Sequence, residues 1–176
     1  MTVPTGGPGA PAPDTTALVR RAKLLGVAGI ALHMSLAALG NITDYDTNWA
    51  FVQHVLAMDT TFQSPSLMWR AVTDPTLQTV AYLAIIAAET AGAVLLWAGL
   101  ARLWRARAGT PEDFHAAKDL ALFALMWCFA IWVVGFVAVG GEWFAMWQSA
   151  TWNGQAAATR FATVTGIAMI FLAIRE

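Results

Sequence analysis

Apolar residues in this chain neither alternate with polar ones nor keep to one helical stripe. They fill four blocks, at about residues 24–42, 76–102, 117–139 and 156–174. Each block reaches the ~20 apolar residues that a helix needs to cross a bilayer. Lipid offers backbone N–H and C=O groups no partner, so runs without strand period or turn residues must satisfy them internally as helices. The pattern predicts an all-α fold, an integral membrane four-helix bundle. Punctuation sharpens the helix ends. Asp74-Pro75 supplies an N-cap and a first-turn proline to the second span, and Thr110-Pro111-Glu112-Asp113 does the same for the third, ahead of its entry into lipid. In the 43–75 connection, Phe51, Val52, Val55, Leu56 and Met58 recur at helical spacing, which predicts a short helix capped by Thr47 or Asn48. Ser64-Pro65 opens a second short turn through Trp69. Both elements are too short to span and are expected to lie along the outer surface.

The charged residues orient the bundle. Arg20, Arg21 and Lys23 precede the first span, Arg102, Arg105, Arg107 and Lys118 lie between the second and third, and Arg175 follows the fourth. Only Arg70 and Arg160 fall in the other connections, so eight of the ten Lys and Arg share one side. By the positive-inside rule both termini are cytoplasmic. The opposite face carries Asp44, Asp46, Asp59 and Asp74, an asymmetry that the net charge of -1 conceals.

With 58% hydrophobic and 12% charged residues the composition excludes an ordinary soluble domain, and nothing in it points to nucleic acid. The 176 residues suffice for one four-helix transmembrane domain, 17–176, behind a Pro/Gly-rich cytoplasmic tail, 1–16, expected to be disordered. Arg20–Lys23 and Ala38-Leu39-Gly40 also suit a signal peptide, but the first segment is expected to be retained. Cys128, alone of its kind and inside the third span, reads as a packing residue.

Ionisable groups at membrane depth are the first functional candidates. His33 and Glu89 both fall near mid-bilayer. Gly26, Gly29, His33, Ala37 and Gly40 share one face of their helix, as Tyr82, Glu89, Gly92 and Ala93 do of theirs. Small residues let helices approach, so an intramembrane polar pair of His33 and Glu89, with Tyr82, is expected. It reads as a structural bond, a proton relay, or the polar end of a site for a bound lipid or quinone. Haem is disfavoured, because His33, His54 and His115 lie at three different depths. Glu142 and Arg160, at neighbouring ends of the last two spans, suggest an outer clamp. Asp44, Asp46 and Asp59, near Asn41, are weak metal candidates lacking the spacing of a calcium loop, and no cofactor is expected. Trp49, Trp69, Trp143, Trp147 and Trp152 all fall in the outer connections, as an aromatic belt or a partner-docking surface.

Two long outer segments carry a resemblance. They are Asn41-Ile42-Thr43-Asp44-Tyr45 through Phe51 to Phe62, and Gly140-Gly141-Glu142-Trp143-Phe144 through Met146-Trp147-Gln148-Ser149 to Trp152-Asn153-Gly154-Gln155. In these blocks the chain resembles a bacterial family of predicted small integral membrane proteins of unknown function. The likeness covers everything after the tail and implies four spans in a bacterial inner membrane. It brings no catalytic residue. No nucleophile elbow, phosphate loop or paired-Cys motif is present, and four unbroken helices leave little room for a substrate cavity. The expectation is therefore a non-catalytic accessory subunit, not an enzyme. It would dock to other inner-membrane subunits, as in a respiratory or photosynthetic electron-transfer complex, through its outer Trp-rich face, with membrane lipids around it. The alternatives are a small channel, carrier or proton-conducting element using His33 and Glu89, and a quinone- or lipid-binding redox anchor.

Overall fold

A computed structural model describes residues 15–175. Its first helix, α1 (Thr15–Thr43), is followed after one residue by α2 (Tyr45–Ala57). Then come a 3-10 turn (Met68–Arg70), α3 (Pro75–Ala106), α4 (Pro111–Ala116), α5 (Asp119–Ala130) with its continuation Ile131–Trp143, a second 3-10 turn (Met146–Gln148), and α6 (Gln155–Ala173). Four helical stretches are long and apolar enough to cross a membrane: Thr15–Thr43, Pro75–Ala106, Pro111–Trp143 and Gln155–Ala173. The four-span, all-α expectation therefore holds. Of the tail, only Thr15 and Thr16 lie within the described residues, and they already belong to α1. One end of the bundle, the termini end, carries Thr15, Arg175 and the α3–α4 turn; the other, the loop end, carries the connections around residues 58–74 and 144–154.

Cap chemistry explains where the helices start. The Asp74 side chain accepts from the N–H groups of Thr76 and Leu77, with Pro75 in the first turn. These two bonds hold the Asp74 carboxyl below its ordinary value of 3.8. Thr110 and Asp113 form a reciprocal capping box ahead of α4. The short helix α2 departs from expectation. It begins at Tyr45 instead of being capped by Thr47 or Asn48, and the Asn48 amide donates back to the Asp44 carbonyl at 2.9 Å.

Nor does α2 lie flat on a surface. Tyr45 meets Tyr82 edge-on at 4.9 Å, the Trp49 indole donates to Thr79 at 3.2 Å, and Val72 N–H donates to the Leu56 carbonyl at 2.8 Å. The helix therefore climbs antiparallel to the first turns of α3 towards the loop end, continuing α1 after a break at Asp44.

Water drives no association between helices in lipid, so close backbone approach and buried polar bonds must do it. The tight contact lies between α3 and the third span. A Cβ added at Gly99 would lie 2.8 Å from the Ala121 backbone, and one at Gly92 would lie 2.9 Å from Cys128 Sγ. Cys128 is fully buried there, in the packing role read from its place in the third span. The glycine face proposed for α1 is not a close contact, since Gly26, Gly29 and Gly40 have nothing within 4 Å of a would-be Cβ. The buried face of α1 is instead Leu24, Val27, Ile30, Ala31, Met34 and Ala38.

The third span changes winding. From Ile131 to Trp143 it is a π-helix, closed by a Phe144 N–H to Val139 carbonyl bond of 3.0 Å. Such i→i+5 winding is usually confined to single turns at functional sites. It widens the helix opposite α2, and hollows open beside it. One of about 400 Å³, almost wholly apolar, lies among α2, α3 and the π segment. Another of about 410 Å³ lies against α1 and α6. The span is thus continuous but not uniform, and hollows open beside its π segment.

Candidate functional site: the loop-end layer and the intramembrane polar junction

The two sequence blocks that carry the family likeness meet at the loop end. Thr60 Oγ donates to Ser149 Oγ at 2.8 Å, and the Phe62 N–H donates to the Gln148 side chain at 2.9 Å. Ser149, 5% exposed, also accepts from the Trp152 N–H at 2.8 Å. Met58, Phe144 and Ala145 form a small apolar core beneath these bonds, flanked by Val55, Leu56 and Met68. Met58, Gln63 and Ala145 hold positive φ angles of 54°, 50° and 51°. That conformation costs an L-residue roughly 1–2 kcal/mol, and here it is imposed by the packing and bonds of the layer.

Aromatic residues decorate this frame. Trp69 and Trp143 meet edge-to-face at 5.6 Å, and the Arg70 guanidinium sits 5.5 Å and 4.9 Å from their ring centres. Trp147 meets Phe62 at 5.9 Å. Trp69, Trp143, Trp147 and Phe62 remain 69%, 45%, 48% and 73% exposed. The remaining two of the five tryptophans are half-buried: Trp49 is tied to Thr79, and Trp152 stacks on His54 at 4.6 Å. The five therefore do not form a uniform belt.

Asp59 pairs with His54 at 2.7 Å, while Asp44 and Asp46 are exposed at the start of α2. Twelve residues separate Asp46 from Asp59, most of them helix, and no group of three potential metal-ligating side chains occurs among the described residues. The weak metal candidates are thus not gathered. Nor is the clamp: Glu142 and Arg160 are both exposed, and no ion pair joins them. The hairpin brings Gly141 against Gln155 instead. Arg160 lies five residues further along α6, about 7.5 Å at 1.5 Å per residue.

Inside the bundle the expected partners are re-sorted. Glu89, 1% exposed, accepts from the Asn41 amide at 2.6 Å, and the Tyr82 hydroxyl donates to the Asn41 carbonyl at 2.7 Å. Tyr82 and Glu89 thus do join one junction, with Asn41 rather than His33 as its hub. His33 stacks on Phe161 at 4.0 Å and lies 5.9 Å from Trp132, and its Nε2 has no hydrogen-bond partner. The reason is rotational. Met34, fully buried, is the residue that α1 turns towards Gly92 of α3. One residue is about 100° of helix, so His33 points past α3 to α6. Sequence reasoning missed Asn41 because it was grouped with the outer aspartates; counting back from the α1–α2 break would have placed it in the helix.

With this geometry in hand, the comparison with known families is specific. The chain matches the family of predicted small integral membrane proteins (DUF2165) over residues 19–175, and it belongs to that family. It is a multi-pass integral membrane protein. Neither the curated proteins nor the solved structures contain a match to it.

Proposed function

We propose that the protein is a non-catalytic accessory subunit of a larger inner-membrane assembly, a respiratory or photosynthetic electron-transfer complex being the kind expected from its sequence, with both termini cytoplasmic. The observation that carries this reading is the loop-end layer. Cross-connection hydrogen bonds and a private apolar core hold it, yet it presents Trp69, Trp143, Trp147 and Phe62 outward. Preorganised aromatic side chains beside an arginine are the composition of interface hot spots, because little side-chain entropy remains to be lost on docking. A proton-conducting element built on His33 and Glu89 draws less support, since His33 rests on aromatic rings and Glu89 bonds to Asn41.

Purification of tagged protein in mild detergent should recover other membrane subunits in fixed stoichiometry. Trp69→Ala with Trp143→Ala should release them, each anchor being worth about 2 kcal/mol or more. A monodisperse particle containing only this chain would overturn the proposal.

A further inference from the structure

We infer that the groove between α1 and α3 at the termini end binds an anionic phospholipid, its phosphate held at the mouth by Arg21 and Arg105 and an acyl chain laid along the groove. The hollow, about 610 Å³, is walled by one face of each helix, from Arg21 to Ala28 on α1 and from Trp97 to Arg105 on α3. From Trp97 to Arg105 is about 12 Å of helix at 1.5 Å per residue. Away from the arginines the lining is aliphatic and tryptophan, and Ala28 and Ala101 contribute single methyl groups that leave the space open. The Trp97 indole donates to Ser35 of α1 at 3.0 Å and joins the two helices at the inner end, while Trp104, 56% exposed, stands at the outer one. Tryptophan concentrates at the headgroup boundary, so the groove runs from headgroup level into acyl-chain depth.

The cations at this end divide into two kinds. Arg20, Lys23, Arg107 and Lys118 donate to backbone carbonyls. Arg21 and Arg105, one on each wall of the groove, are exposed and form no hydrogen bond or ion pair among the described residues. No Asp or Glu lines the groove. Each guanidinium therefore keeps a planar fork of donors that matches phosphate oxygens, and a basic pocket between spanning helices favours an anionic headgroup. A choline or ethanolamine head would bring a further positive charge to the two arginines with no carboxylate to receive it. The groove lies at the opposite end from the aromatic layer and depends on neither the partner nor the orientation proposed above.

The test is native mass spectrometry of the full chain, released from detergent after incubation with equal amounts of dioleoyl phosphatidylglycerol and dioleoyl phosphatidylcholine. Phosphatidylglycerol adducts should outnumber phosphatidylcholine adducts about tenfold, and Arg21→Gln with Arg105→Gln should bring the two lipids to parity. Arg102→Gln removes an exposed charge from α3 outside the groove and should leave the ratio unchanged, which diffuse attraction to a basic surface would not. Ala101→Phe fills the groove without altering charge and should lower phosphatidylglycerol retention about fivefold or more, because acyl methylenes lose their contact; Ala28→Phe takes its place if that variant is not monodisperse and helical. Equal retention of both lipids by the unaltered chain, an equal loss in Arg102→Gln, or undiminished phosphatidylglycerol binding in the folded groove variant overturns the inference.

Discussion

At the scale of single residues, the protein depends on a few positions where one atom decides a contact. Gly99 is one, because any Cβ there collides with the Ala121 backbone, which cannot move aside as a flexible side chain can. Gly99→Ala should destabilise the bundle by about 1–3 kcal/mol, the usual cost of overpacking, measurable as a lower midpoint of denaturation in detergent. Gly29→Ala, with nothing within 4 Å, should be neutral or stabilising. Ser149 is another such position: one hydroxyl joins Thr60, Trp152 and the turn before α6. Ser149→Ala leaves a backbone N–H without its acceptor, for an expected loss of about 1–3 kcal/mol. The same substitution should weaken partner recovery, because the tryptophans lose their frame.

At the scale of elements, caps and windings carry the argument. Thr110→Ala removes one half of the capping box ahead of α4 and should cost about 1 kcal/mol, read in the same denaturation assay. At α3 the Asp74 carboxyl is held low, first by the Leu77 N–H and then by that of Thr76. A depressed carboxyl contributes stability that is present above its ordinary value and is lost as pH falls through the lowered one. Amide exchange at Thr76 and Leu77 should therefore lose protection as pH drops below 3.8, the ordinary value, and Asp74→Asn should abolish that dependence. Both caps were readable from two to four consecutive residues, because a cap is a local bond. The π winding of 131–143 was not, since no short motif distinguishes it from an α-helix of the same composition.

At the scale of the whole molecule, the cations do two tasks. Arg20 donates to the Arg107 and Gly109 carbonyls at 3.0 and 2.8 Å, beyond the end of α3. Lys23 donates to the Ile174 carbonyl at the end of α6, and Lys118 reaches the same oxygen at 2.9 Å. Positive groups at helix C-termini are favourable, so this cluster ties all four spans together at the termini end. The same residues set the proposed orientation through the positive-inside rule. A cysteine placed at Ser66 should react with an impermeant maleimide in intact cells, and one placed at Ala108 only after permeabilisation. The reverse pattern would invert the topology. Buried Cys128 adds no background.

Sequence by itself determined the number of spans, the caps at Asp74 and Thr110, the turn at Ser64-Pro65 and family membership. Lipid imposes a requirement along one dimension, and a hydropathy run or a local bond is visible there. Tertiary structure decided which way each helix faces and which loops meet. A rotation of one residue turned Met34, not His33, towards α3, and so gave Glu89 to Asn41. Thr60 meets Ser149 across 89 positions of sequence. Azimuth and loop pairing follow from packing several helices at once, and no single stretch of chain encodes them.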